Sequence, residues 1–380
     1  MKNEWLEKSV GDILQLEYGK PLDEADRKTD GRFPVYGANG EKGRTDKFYH
    51  AKPSIIVGRK GSAGELNLTE KMFWPLDVTY FVTFDESQHD LRFLYYLLTT
   101  QELTKLAKGV KPGINRNEVY SQATRVPPLA EQQRIVGLLD EAFERLATAK
   151  ANAEHNLQNA RALFESHLQS IFTQRGEEWV ETTLEKVLDT QPQNGWSPPA
   201  ANHSATGTPV LTLSSVTGFR FRPDKRKFTS ATTDLRRNYW IQNGDFLITR
   251  SNTPELVGHV AIVEGITEPT IYPDLIMRMN PAPDRMLTEF LYFQMRTPAL
   301  RKEIMGRAQG ANPTMKKISN GAVKMLPIVV PPIAIQQAIV ETMNELSKET
   351  QRLARLYERK LAALEALKKS LLHQAFSGEL

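Results

Sequence analysis

The sequence predicts an α+β protein in which two globular domains are separated by two long helices. The helices are expected to form an antiparallel coiled coil with pseudo-two-fold symmetry. Three observations predict this: an internal repeat, two long stretches of helical periodicity, and two mixed segments between them.

The repeat is clearest at one motif. Val126-Pro127-Pro128-Leu129-Ala130-Glu131-Gln132-Gln133-Arg134-Ile135-Val136 returns as Val330-Pro331-Pro332-Ile333-Ala334-Ile335-Gln336-Gln337-Ala338-Ile339-Val340, with Pro127 answered by Pro331. The same shift carries Ser166–Thr173 onto Ser370–Ser377. A register held over about fifty residues is that of a continuous helix, where one inserted residue rotates everything beyond it by about 100°. Upstream the shift drifts. Glu4-Trp5 matches Glu178-Trp179, Ile56–Arg59 matches Leu247–Arg250, and Phe93–Tyr96 matches Phe290–Phe293. The second domain is therefore longer, mostly through an insertion before Arg250, and the drift marks loops that accept insertions. Phe376-Ser377-Gly378-Glu379 resembles the stretch from Phe172 to Glu178 that leads into Trp179, so the two copies read as one cyclic pattern. This divides the chain into a first domain (1–126), a first long helix (127–174), a second domain (175–330) and a second long helix (331–380).

Each Pro-Pro pair breaks what precedes it and can sit just before a helix start. In the first helical segment apolar or small residues fall at Ile135, Leu139, Ala142, Leu146, Ala149, Ala153, Ala160 and Leu163. In the second they fall at Ile339, Met343, Leu346, Thr350, Leu353, Tyr357, Leu364, Leu367 and Leu371. Spacings of four and three make a heptad seam, and about forty residues make a helix of roughly 60 Å. A seam of that length needs a covering helix. Pairing of the two copies supplies one; an intermolecular coiled coil and ordinary core helices are the alternatives.

The segments between are mixed. Runs at Ser54–Val57, Val78–Val82, Pro209–Leu213, Asp245–Thr249 and Val260–Val263 have strand character, and Leu91–Thr99 and Glu289–Arg296 read as short amphipathic helices. A basic or polar loop follows a strand in each domain: Arg59, Lys60 and Ser62 among glycines in the first, Arg250, Ser251 and Asn252 in the second. Arginine and lysine suit phosphates or guanine edges, and glycine lets backbone approach closely. The second domain adds Arg220, Arg222, Lys225, Arg226 and Lys227 interleaved with phenylalanines, then Arg236 and Arg237. Basic residues among aromatics fit a nucleic-acid surface, but a solvated hairpin with core aromatics has the same pattern. A third pair of loops carries Lys111, Asn115 and Arg116 in the first domain and Arg307, Gln309, Asn312, Lys316 and Lys317 in the second. Asparagine and glutamine read adenine edges or cap helices equally well.

Composition bounds the rest. At 380 residues, 40% hydrophobic and 25% charged, the chain is an ordinary globular protein of two or three folding units. It has no cysteine, which excludes disulfides and Cys-ligated zinc. The start, Met1–Trp5, lacks an apolar signal region, and no apolar run approaches the ~18 residues of a membrane span. A soluble, cytoplasmic protein is expected. A net charge of +4 is too small to identify a nucleic-acid binder by itself. Catalytic signatures are missing. The sequence holds no phosphate-binding G-x-x-x-x-G-K-[ST], no H-E-x-x-H and no G-x-S-x-G. Valine precedes both Pro-Pro pairs and Leu or Ile follows, so neither offers the amide and ring that hold a flipped adenine. A self-contained modification enzyme is disfavoured; a coiled-coil adaptor that binds only proteins remains open.

Two variable segments, each followed by a fixed-register helix opening with Pro-Pro-Leu/Ile-Ala-x-Gln-Gln-x-Ile-Val, resemble the DNA-specificity subunits of type I restriction-modification systems. The resemblance covers essentially the whole chain. Its most specific stretches are Pro127–Gln133 and Gln374–Leu380, and Ile335 departs from the glutamate common in the family. It implies two target-recognition domains, each reading one half of a split, asymmetric double-stranded DNA site. The paired helices would set the spacer and dock two modification subunits, with Glu131, Gln132, Gln133, Gln336 and Gln337 marking the docking surface. Those subunits would carry S-adenosylmethionine and methylate adenine, and restriction subunits would bring ATP, Mg and a nuclease. This chain would hold no cofactor and no metal, and would supply address rather than chemistry. Alone, it could self-associate over surfaces meant for partners.

Overall fold

The computed structural model describes residues 5–312 and 314–380. The Met1–Glu4 stretch, with Glu4 of the repeat, and Pro313 lie outside the described residues. The chain forms two compact units. One runs up to Glu154 and takes in Glu358–Leu380; the other is His155–Tyr357. Two helices, Leu129–Thr173 and Ile333–Ser377, each contribute one part to each unit. The spatial division thus cuts through both long helices, where the linear division placed boundaries at their ends.

In the first unit an antiparallel ribbon of Leu6–Ser9 and Ala123–Val126 closes the domain. Inside it lies a four-stranded antiparallel sheet in the order Gln15–Tyr18, Thr79–Thr83, Ser54–Gly58, Leu66–Thr69. Ser54–Gly58 is buried along its whole length. Strand alternation sends Ile55 and Val57 into the main core and Ile56 to the opposite face with Phe73 and Phe81. The helix Leu91–Thr100 covers the main-core face. Asp90 starts it, accepting hydrogen bonds from the Arg92 and Phe93 backbone N–H groups, and Phe93, Leu94, Leu97 and Leu98 form its buried stripe. A smaller sheet of Gly40–Thr45, Phe33–Gly37 and Trp74–Pro75 completes the domain.

The second unit repeats the plan. A ribbon of Val180–Thr183 and Pro327–Val330 closes it. Its four-stranded sheet, Leu188–Asn194, Ile276–Pro281, Phe246–Thr249, Val260–Ile262, has the same strand order. Phe246 and Ile248 enter the main core while Leu247 joins a second one, as in the first unit. With the extra residues before Arg250, the second unit has a five-stranded sheet where the first unit has three: His203–Ser204, Arg226–Thr229, Thr208–Leu211, Thr270–Ile271 and Trp240–Ile241.

Within each unit, the parts of the two long helices that it holds run antiparallel. In the first unit the start of one lies against the end of the other: Ile135, Val136 and Leu139 share a core with Leu372 and Ala375. Arg134 Nη2 donates to the Leu380 carbonyl at 2.9 Å, and the Lys368 ammonium lies 5.3 Å from the Phe143 ring centroid. In the second unit the roles reverse, and Phe164, Leu168 and Phe172 pack with Met343 and the partly buried Ile339 and Leu346. The heptad seam holds at Ile135, Leu139, Ala153, Ala160 and Met343, all buried. It fails at Leu163 and Leu367, which are 49% and 47% exposed. There the burial passes to Phe164 and Leu372, because the last turns of each helix face a domain core as well as the other helix.

Candidate nucleic-acid interface

Both domains bring their two candidate loops together. In the first, the loop after Ser54–Gly58 meets the loop before the helix Arg116–Tyr120. The Gly61 N–H donates to the Pro112 carbonyl at 2.8 Å and the Ile114 N–H to the Arg59 carbonyl at 3.1 Å. In the second, Ser251–Asn252 pairs antiparallel with Lys316–Lys317, and the Ile318 N–H donates to the Arg250 carbonyl at 3.0 Å.

Arg59 and Arg250 hold matching places. The Arg59 backbone N–H donates to the Val78 carbonyl and that of Arg250 to Leu275. Arg59 Nε and Nη2 donate to the Asp77 carbonyl at 3.1 and 2.7 Å, and Arg250 Nη1 reaches the Asp274 carbonyl at 3.4 Å. Each arginine therefore holds the strand end that flanks its loop. In the first domain it also meets an aromatic partner. The Arg59 and Arg116 guanidiniums lie 5.3 and 5.2 Å from the ring centroid of Tyr18, which is 46% exposed. Tyr18 in turn stands edge-on to Tyr80, whose hydroxyl burial pushes up to about 12. This basic and aromatic cluster is the strongest feature of the first domain. Lys60 and Lys111 are exposed beside it. Ser62 is half-buried, and Asn115 caps Arg116–Tyr120 by accepting from the Asn117 N–H at 2.9 Å.

The second domain's candidates sort less uniformly. Ser251 is 2% exposed, so its hydroxyl cannot meet DNA in this conformation; it lies in the ribbon that joins the two loops. Arg307 is committed to Glu303 and to the Met325 carbonyl, and Lys316 Nζ donates to the Gly310 carbonyl at 2.7 Å. Asn252 accepts from the Thr253 N–H, and Asn312 accepts from the N–H and hydroxyl of Thr314. Gln309 and Lys317 remain exposed.

In the interleaved cluster the aromatics turn inward. Phe221 is buried, and Phe219 stacks on His259 with centroids 4.1 Å apart. His259 Nδ1 accepts from the Gly218 N–H at 3.0 Å. Burial, with the Arg301 and Arg296 cations nearby, lowers its pKa to about 4. Arg222 Nη2 donates to the Thr217 carbonyl at 2.7 Å, and Arg226 pairs with Glu268. Lys225 pairs with Asp224, Lys227 lies 2.9 Å from the His203 ring, and Arg237 is 3.8 Å from Asp234. Arg220 and Arg236 are exposed.

The glutamine motif needs correction. Gln132 and Gln336 are both fully buried, so neither is available for docking. Each reaches inward from its long helix into the adjoining domain. Gln132 Oε1 accepts from the Asp90 N–H at 3.0 Å, and its Nε2 donates to the Gln88 and Pro127 carbonyls. Gln336 does the same with the Leu287 N–H at 2.8 Å and the Arg285 and Pro331 carbonyls. Each thus ties the entry of the short amphipathic helix to a Pro-Pro junction. Gln133 and Gln337 are exposed, and Glu131 pairs with Arg134.

A duplicated frame with differing loops is the pattern that decides the family. The model of the type I restriction modification DNA specificity domain matches residues 2–155 and again 176–359. The chain belongs to this specificity-domain family. It is 26% identical over 275 residues to the type I restriction enzyme EcoKI specificity subunit of Escherichia coli K12, a match covering 67% of this chain and 57% of that relative. The chain therefore spans little more than half that relative's length. Two solved structures share the fold over 99% of the chain. One, from work on complex assembly and conformational transition of the type I R-M system, has a TM-score of 0.77 at 17% identity and is covered over 98% of its length. The other is the HsdS subunit from Thermoanaerobacter tengcongensis, with a TM-score of 0.61 at 18% identity and 97% of its length covered.

Within this specificity-domain frame, Tyr18 is the residue that sequence reasoning missed. It ends a strand about forty residues before Arg59, and no local pattern links the two. No helix among the described residues is long and apolar enough to cross a membrane.

Proposed function

We propose that the chain is the non-catalytic DNA-recognition subunit of a type I restriction-modification complex. Each domain reads one half of a bipartite, asymmetric site, and the helix pair sets the spacer. One observation supports this above the rest. The same arginine-anchored loop pair stands in both domains, while the residues displayed around it differ. A common frame with different side chains suits two different half-sites on one duplex.

The partners follow from the family. Two modification subunits dock on the long helices, where Gln133 and Gln337 face outward. S-adenosylmethionine belongs to those subunits, and ATP and Mg to restriction subunits. Each long helix has 45 residues, about 68 Å of rise, which suits a ruler.

Methylation mapping tests the reading. Genomic DNA is compared from cells with and without this chain, the modification subunit being present in both. A split adenine-methylated motif that depends on the chain is the expected result. Its absence, with an active modification subunit, overturns the reading in favour of a protein-only adaptor.

A further inference from the structure

Lys108 and Gly113 pair through both backbone hydrogen bonds, at 2.9 and 3.0 Å, and close a tight hairpin. Gly109 turns it with φ +92°. The hairpin is not a free loop, because the Gly61 and Ile114 N–H bonds pin its returning strand to the arginine loop. At its tip stands Val110, with a relative exposure of 108%. Single exposed apolar residues are common and need no explanation. The placement of this one does. Exposed Lys60 and Lys111 flank it, and the pinned hairpin shares a frame with Arg59, Arg116 and Tyr18.

We propose that Val110 is a specificity-determining residue that makes apolar contact with the 5-methyl group of a thymine in the half-site read by the first domain. The inference rests on the DNA-recognition reading above. The major groove presents one apolar group, the thymine methyl, and small apolar side chains read it. Side chains that wedge between base steps are longer or bulkier, such as Phe, Leu, Ile or Met. Valine is shorter than these, so it meets the edge of a base rather than parting two of them. The lysines beside it hold the flanking phosphates, which fixes how deep the tip sits. In the second domain the matching loop displays exposed Ala311, Asn312 and Thr314 instead.

The test uses the complex of the full chain with its modification subunit. Duplexes carry the mapped site with each thymine replaced in turn by deoxyuridine, which lacks only the methyl. Wild type is expected to lose about fourfold in affinity at one thymine, the worth of one buried methyl-sized group. Val110→Ser, which puts a hydroxyl in place of the methyls, abolishes the thymine–deoxyuridine difference at that position and leaves every other position unchanged. Val110 packs against no core, so the variant folds. Wild type with no methyl dependence at any thymine, or Val110→Ser that keeps it, overturns the proposal. Wild type with no site-specific binding at all removes the DNA-recognition reading and this inference with it.

Discussion

Replacing Gln336 with alanine separates a structural clamp from a docking surface. The side chain satisfies three backbone groups: the Leu287 N–H and the carbonyls of Arg285 and Pro331. Alanine leaves all three without their partner. A buried group so stranded costs about 1–3 kcal/mol, and the partly solvated ones less, which makes about 2–4 kcal/mol in all. For a unit of this size the unfolding midpoint falls by roughly 4–16 °C. Differential scanning calorimetry of the full chain reads it directly. Gln132→Ala does the same in the first unit. The neighbouring Gln337→Ala, on an exposed side chain, stays within about 0.5 kcal/mol of wild type. A Gln336→Ala chain that melts with wild type yet fails to bind its partner would refute the clamp and restore the docking role.

Further outcomes follow from the loops, the helices and one buried histidine. Arg59→Ala weakens binding at one half-site by about 1–3 kcal/mol, measured by competition between duplexes altered in one half at a time. Lys111→Ala weakens all sequences alike and lowers the salt slope by about one, read from affinity against salt concentration. Removing one heptad from each long helix shortens the ruler by about 10 Å, close to three base pairs, so methylation mapping should return an altered spacer. His259 has a folded pKa depressed to about 4, against about 6.5 when unfolded, so the unfolded chain takes up the proton first. The stability this contributes is whole above pH 6.5, is lost as pH falls toward 4, and amounts to about 3 kcal/mol. Thermal melts across that range should show the loss in wild type and a smaller one in His259→Gln.

Periodicity and punctuation carried most of the fold into view. The runs at Ser54–Val57 and Asp245–Thr249 hold central strands because their short apolar stretches, Ile55–Val57 and Phe246–Ile248, are buried on both faces. The long helices declared themselves by constant register. What stayed hidden depends on rotation and on distant pairing. Helical spacing cannot tell whether Gln132 or Gln133 faces inward, since that is set by the domain against which the helix is laid. Likewise the seam at Leu163 yields to Phe164 only because a core waits at that end. Loops after the strands were visible as basic or polar, but not that they zip to the loops before Arg116 and Asn320. Ser251 looked like its polar neighbours until ribbon pairing withdrew it.

The first unit is assembled from two pieces of chain with the whole of the second between them. During synthesis, residues 358–380 leave the ribosome only after His155–Tyr357 has been made. Until then Ile135, Leu139 and Phe93 lack Leu372, Ala375 and Phe376 to cover them. The domain begun first is therefore finished last, and a nascent chain stalled before residue 358 presents an open apolar face to chaperones and proteases.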